Sequence, residues 1–371
     1  MKKLTSILAV VLSIVLILTG CSSDKKSSEG TKDASSELKV GVVVGEGGIK
    51  DKSFNQANVE GVQAWAKDNN AKAHTPVENK TAADIAANLK NVSGISDVVS
   101  VAGYDFLKDL PVIAKDFPNV KYIYIDDVVE GENVMSATFK EQEAGYLAGY
   151  TAALQSKTGK IGFIGGLKIP PVARFGIGFI QGAKKANPDI EISYQYSGSF
   201  ADINKGKTLA ATMYDIGIDV IFTAAGNTGN GAIKEAQERA VNDIKESGEI
   251  KHWIVGVDKD QYEDGIFSAK DKEGKSVEKS VILTSAIKSV DVAVKDILDR
   301  VKAGTFKGNT TLVFGVKEKG LKLPEKNPNL SEEVLSKLSV IIKDIEDGKI
   351  VVVDEDTKLT EEQKAKISGE L

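Results

Sequence analysis

The 371-residue sequence contains a single cysteine, Cys21, so no intrachain disulfide can form. Its two histidines, His74 and His252, stand far apart and lack metal-ligand spacing, which argues against a histidine-based metal site. There is no Gly-x-Ser-x-Gly nucleophile turn. There is no basic stripe either. Without Lys2 and Lys3 at the start, the 48 basic residues fall to 46 against 53 acidic ones, a formal net charge of −7. That balance argues against a nucleic-acid polymer as partner. One glycine-rich run, Gly226-Asn227-Thr228-Gly229-Asn230-Gly231, suggests a phosphate loop at first sight. Its spacing fits neither the dinucleotide fingerprint nor the Walker form, and no Lys-Ser/Thr pair follows it. It reads as a turn bringing backbone N–H groups close to a ligand, or equally as a plain strand-to-helix connection.

What is present begins with a leader. Met1-Lys2-Lys3 is cationic and Ile7 to Leu18 is a compact apolar run, too short and too N-terminal for a good spanning helix. Residues 1–20 therefore read as a signal peptide. Leu18-Thr19-Gly20-Cys21 resembles the lipobox of bacterial lipoproteins, in which the cysteine is lipidated and becomes the first mature residue. The expectation is a protein held at the extracytoplasmic face of the cell membrane through Cys21. Residues 21–37 are rich in Ser, Lys, Asp, Glu and Gly and read as a flexible tether. The folded part starts near Leu38 and exceeds 300 residues, enough for two domains with separate cores.

From there apolar runs alternate with helical patterns. Strands are expected at 38–44, 97–103, 121–126, 160–166, 190–196, 219–225, 252–257 and 281–287, with a β-like run at 310–316 and an edge strand at 350–353. Helices are expected from Ser53, at 81–92, 107–117, 141–154, 170–186, 202–214, 231–241 and 290–301, and from Ser331, with a solvated helix or tail at 360–371. Ser53 and Gln56 have capping-box spacing. Small residues within 170–186 would let that helix pack closely on the sheet. The alternation predicts α/β architecture, with parallel sheets covered on both faces.

Most candidate functional residues follow the carboxyl end of a strand. They are Asp51, Phe54 and Asn55; Asp126 and Asp127; Phe200; Gly226; and Asp258. Parallel strands deliver such ends to one side, where open α/β sheets bind ligands. A phenylalanine there offers a flat apolar face, and the neighbouring asparagine amide both donates and accepts. Phe54 and Phe200 belong to separate α/β units, so two sheets facing one another would place one ring on each wall of a cleft. Lys288 ends the strand that follows Asp258.

Together these segments resemble the basic membrane protein (BMP) family of lipoproteins, the nucleoside-binding components of ABC transporters, with the purine nucleoside receptor as the best-known type. The matching stretches include Asp51-Lys52-Ser53-Phe54-Asn55, Glu143-Ala144-Gly145-Tyr146-Leu147-Ala148-Gly149, Gly178-Phe179-Ile180-Gln181-Gly182, Gly198-Ser199-Phe200, Gly226 to Gly231, Gly256-Val257-Asp258-Lys259 and Leu283-Thr284-Ser285-Ala286-Ile287-Lys288. The resemblance implies a type I periplasmic-binding-protein fold of two doubly wound parallel-sheet lobes joined by three crossings. The N-terminal lobe is expected over 38–130 and 289–308, and the C-terminal lobe over 131–288 and 309–371. It further implies that Phe54 and Phe200 sandwich a base, that Asn55 and Asp126 bond its edge, and that Gly226, Asp258 and Lys288 hold the ribose. The family's first strand usually ends in Asp nine residues before the Phe. Here that place is Gly45, beside Glu46, so either Glu46 substitutes or one polar contact is missing. Asp127 competes with Asp126 for the base contact.

The implied protein is a monomeric receptor without cofactor or metal, working with permease and ATPase subunits. Two other readings stay open. One is a receptor of the same fold for another small polar molecule, such as a sugar or a signal. The other is a nucleoside-processing enzyme in which Asp126 and Asp258 do acid-base work; the lipobox and tether fit delivery to a transporter better.

Overall fold

The computed structural model describes residues 37–354. The signal peptide, Cys21, nearly all of the tether and the 360–371 tail lie outside the described residues.

The first sheet is built from β1 (Lys39–Val44), β2 (Val98–Ala102), β3 (Lys121–Ile125) and β4 (Val134–Phe139). The second is built from β5 (Lys160–Gly165), β6 (Glu191–Tyr196), β7 (Val220–Ala224), β8 (Trp253–Asp258) and β9 (Ile282–Lys288). A last strand, β10 (Thr310–Phe314), returns to the edge of the first sheet beside β4. The first sheet runs β10-β4-β3-β2-β1, with short pairings of 72–73 and 77–78 on β1, and every pairing is parallel. The second runs β9-β8-β7-β5-β6, also parallel, with residues 321–322 antiparallel on β9.

Each sheet is buried on both faces, as parallel sheets require. In β3, Tyr122 and Tyr124 pack with Leu89 and Ile113, while Ile123 and Ile125 pack on the opposite face with Val59, Trp65 and Ile297. In β7, Phe222 faces Phe175 and Phe179, while Ile221 faces Ala210, Met213 and Ala236. Nine α-helices lie among the described residues: α1 (Phe54–Asp68), α2 (Ile85–Ser93), α3 (Leu110–Asp116), α4 (Glu141–Gln155), α5 (Pro170–Ala186), α6 (Ile203–Asp215), α7 (Asn227–Ser247), α8 (Val290–Lys302) and α9 (Glu332–Glu346).

The chain passes between the sheets three times: from β4 into α4, which packs under the second sheet; from β9 into α8, which packs on α1; and from β10 to 321–322. These passages correct the expected lobe boundaries. Both β4 and β10 pair within the first sheet, whereas 131–288 and 309–371 were assigned to the second lobe. Strand β4 had gone unread because Ser136 and Thr138 interrupt its apolar run.

Other local expectations also change. Residues 350–353 form no strand, because the N–H and C=O of Val353 bond the Gln181 side chain instead of a neighbouring strand. The small residues of α5 divide between two neighbours: Gly176 lies against Tyr194 of β6 in the sheet, as expected, but Gly178 and Gly182 pack against α4. A Cβ on Gly178 or Gly182 would lie 2.0 or 1.9 Å from the carbonyl of Gln142 or Tyr146, and Gly145 and Gly149 meet α5 in the same way. Glycine at all four places lets the two helix backbones touch. Helix α7 starts at Asn227, four residues earlier than expected, so the glycine-rich run is the first turn of a helix.

Candidate functional site

The β1–α1 connection folds around Asp51. Its carboxylate, only 2% exposed, accepts the backbone N–H groups of Ser53, Asn55 and Gln56 at 2.9–3.0 Å. It therefore satisfies the open first turn of α1. Burial raises its pKa to about 6, against the pull of those three N–H groups. Ser53 occupies the cap position, yet its hydroxyl makes no capping bond; the nearer carboxylate has displaced it. The Ser53 hydroxyl instead donates to Asp258 Oδ2 at 2.5 Å. Asn55 is buried and its Nδ2 donates to the Glu46 carbonyl at 2.8 Å. Phe54 follows in the first helical turn.

Two of the strand-end carboxylates sit on unusual backbone. Asp126, just past β3, has φ +86°, and Asp258, the last residue of β8, has φ +63°. The left-handed region is disfavoured for residues with a Cβ, and such conformations gather at ligand sites. Asp127 turns away to accept the Val128 N–H and does not line the cavity.

Lys288 ends β9 at the second crossing and is 3% exposed. Its Nζ donates to both oxygens of Asp126, at 2.7 and 2.9 Å, and lies 3.7 Å from Glu141 Oε1 and 3.9 Å from Asp258 Oδ1. It also stands 4.5 Å from the Phe54 ring centroid, a cation–π distance. Burial alone would lower the Lys288 pKa, but the carboxylates of Asp126, Asp258 and Glu141 outweigh it and hold the ammonium above its ordinary value. Burial pushes Asp258 up, with Lys288 and Ser53 pulling it back. Glu141, fully buried at the start of α4, is raised by burial to about 7 despite Lys288 and despite Arg174, whose Nε donates to its Oε2 at 2.6 Å.

On the opposite wall, Phe200 lies against Gly166, where any Cβ would fall 2.2 Å from the ring. Gly226 has φ +54° and ψ −131°, and a Cβ there would approach the Phe200 carbonyl to 3.2 Å. Both positions demand glycine.

All eight ligand-site candidates, Asp51, Phe54, Asn55, Asp126, Phe200, Gly226, Asp258 and Lys288, line one cavity between the two sheets. The space between its walls not filled by protein atoms, mouth included, is about 670 Å³. That is a small-molecule size. Aromatic rings from both lobes, acceptor carboxylates and one ammonium suit a planar ring carrying hydroxyl groups.

Several lining residues escaped the sequence reading. Tyr104 and Asp105 follow β2 directly and met the same strand-end criterion. Phe175 lies on α5, where nothing distinguishes it from a core residue. Glu141 and Arg174 do not line the cavity but stand behind Lys288, and they gave no local signal either. Asp105 also explains Gly45. Its Oδ2 would lie 2.2 Å from a Cβ at position 45 and accepts the Glu46 N–H at 2.8 Å. Asp105 thus fills the place a side chain there would take. Glu46 lines the cavity and accepts from the Ser199 hydroxyl at 2.8 Å.

A family model described as ABC transporter substrate-binding protein PnrA-like matches residues 38–355. The chain is 37% identical over 357 residues to the ABC transporter nucleoside-binding protein BmpA of Lactococcus lactis, covering 95% of this chain and 99% of that one. It is 32% identical to basic membrane protein A of Borreliella burgdorferi, covering 91% and 96%. Among solved structures it is similar to an ABC transporter solute-binding protein from Aeropyrum pernix, with 26% identity, a TM-score of 0.73, and 89% and 98% of the two chains covered.

Proposed function

Because the chain belongs to the Bmp family of ABC transporter substrate-binding proteins, a family of receptors and not of enzymes, we propose that it captures a purine nucleoside between its two lobes and delivers it to a membrane permease. The observation that carries this reading is the single cavity with Phe54 from one lobe and Phe200 from the other. Stacking on both faces of a base is worth roughly 1–3 kcal/mol per contact.

Asn55 and Asp126 would meet the base edge; Asp258, Lys288 and the Gly226 backbone would meet the ribose. Five acidic residues line the cavity, Glu46, Asp51, Asp105, Asp126 and Asp258, against the single cation Lys288. That balance favours a neutral nucleoside over its phosphates, since uncompensated like charge in a desolvated site is costly. A lipid on Cys21 would hold the receptor at the extracytoplasmic face, beside permease and ATPase subunits, with the protein acting as a monomer. Neither metal nor cofactor is required, because capture and lobe closure involve no bond making.

Mass spectrometry of the small molecule released on denaturing protein purified without added ligand tests this. An intact purine nucleoside is expected. A sugar in its place, or free base appearing when inosine is incubated with the protein, would overturn the reading.

A further inference from the structure

Beside the Lys288–Asp126 pair at the crossing and the Tyr104–Phe200 ring contact, several hydrogen bonds that join the lobes across the cavity converge on one stretch of the first lobe, residues 46–60. Ser199 donates to Glu46, Asn227 Nδ2 to the Gly47 carbonyl at 2.8 Å, and Asn230 Nδ2 to the Asp51 carbonyl at 2.9 Å. Lys259 pairs with Glu60 at 2.6 Å. These bonds are exposed or partly so. The contact between Ser53 and Asp258 differs from these four because it is buried, with Ser53 wholly shielded from solvent.

Asp51 has taken over the capping of α1, so the Ser53 hydroxyl has no local duty. It approaches one oxygen of Asp258 while Lys288 lies 3.9 Å from the other. The Asp258 backbone is left-handed and in register with Ile287 of β9, which fixes its main chain but not the direction of its carboxylate. An ionised carboxylate accepts several hydrogen bonds but donates none, so its direction depends on the donors around it.

We propose that Ser53 is a positioning residue: its hydroxyl, supplied by the first lobe, orients the Asp258 carboxylate of the second, so that this ligand acceptor is completed only when the cleft is closed. Closure and ligand recognition then share one hydrogen bond. A ligand that donates hydroxyls to Asp258 stabilises the closed form, and the closed form presents Asp258 correctly. This rests on the reading of Asp258 as a contact to ligand hydroxyls.

The test uses Ser53→Ala and Ser53→Thr with two readouts. The first is calorimetric affinity for inosine and for hypoxanthine, which lacks the ribose hydroxyls. The second, independent of ligand identity, is the distance between spin labels at Lys108→Cys and Lys168→Cys in a Cys21→Ser background. Both label sites are exposed and lie on different lobes. Ser53→Ala should weaken inosine about tenfold or more, weaken hypoxanthine much less, and shift the label distances of ligand-free protein towards longer values. Ser53→Thr, which keeps the hydroxyl, should restore both. Unchanged inosine affinity and unchanged distances would overturn the proposal. So would equal losses for both ligands without rescue by threonine, which marks a purely structural role. If the unsubstituted receptor binds no nucleoside, the functional reading fails while the distance measurement still decides whether Ser53 governs closure.

Discussion

Lys288→Met removes the one buried cation from a group of three carboxylates while keeping much of its volume. Asp126 at 2.7 Å, Glu141 at 3.7 Å and Asp258 at 3.9 Å all lose the ammonium, although Glu141 keeps Arg174 at 2.6 Å and Asp258 keeps the Ser53 hydroxyl. Breaking a buried ion pair by removing one member costs about 3–5 kcal/mol, because the remaining charge stays desolvated. With Asp126 orphaned and two further buried carboxylates losing a nearby positive charge, a cost within that range is expected at pH 8. The pH dependence follows from the direction of the shifts. Burial already raises Asp258 and Glu141, and Lys288 pulls both down; without it both rise further. A carboxyl group whose folded pKa exceeds its unfolded value of about 4 supports folding at low pH and loses that support as pH rises towards the folded pKa. Lys288 itself is raised above its ordinary value, so its own contribution is complete from pH 5 to 8 and adds no slope there. The deficit of the variant should therefore shrink from pH 8 to pH 5, by up to roughly 1.4 kcal/mol per pH unit for each orphaned carboxyl. Urea unfolding followed by tryptophan fluorescence reads this directly, since Trp65 reports on the first lobe and Trp253 on the second. Adding Asp126→Asn to Lys288→Met should cost less than the sum of the separate losses. A deficit that is equal at both pH values, together with additive losses, would refute the charge-cluster argument.

Phe54→Ala should weaken purine nucleoside binding by roughly 1–3 kcal/mol by calorimetry, the loss of one stacking face; unchanged affinity would make Phe54 a packing residue only. Gly226→Ala forces a Cβ into φ +54° and to 3.2 Å from the Phe200 carbonyl; it should cost about 1–3 kcal/mol of stability and weaken binding, as urea titration and calorimetry would show. Glu141→Gln should flatten the thermal-stability profile between pH 5 and 7. The native group, raised to about 7, supports folding below its unfolded pKa and loses that support as pH rises through this window, so an unaltered slope in calorimetric scans would count against it. Cys21→Ser should move the protein from the membrane fraction to the soluble fraction without changing its melting temperature; retention in the membrane would contradict the lipid anchor.

The alternation of strands and helices was legible because parallel strands buried on both faces are continuous apolar runs, as in Lys121–Ile125 and Val220–Ala224. The strand-end residues were legible for a related reason. Parallel pairing sends every carboxyl end to one side, so Phe54, Asp126, Phe200, Gly226 and Asp258 fall together whatever their spacing in the chain. Strand β4 was not legible, because Ser136 is buried and Thr138 half-buried by their surroundings, and neither carries an apolar signal of its own. The lobe boundaries were misplaced with it. Ser53 shows the limit most clearly. Its spacing to Gln56 describes a helix cap, but Asp51 takes that role and the hydroxyl bonds Asp258, 205 residues away. The charge cluster of Asp126, Glu141, Arg174, Asp258 and Lys288 lies equally beyond local reading. A local pattern states what a residue offers its neighbours in sequence; only chain crossings bring these groups within a few ångströms, where burial and mutual charge set their protonation.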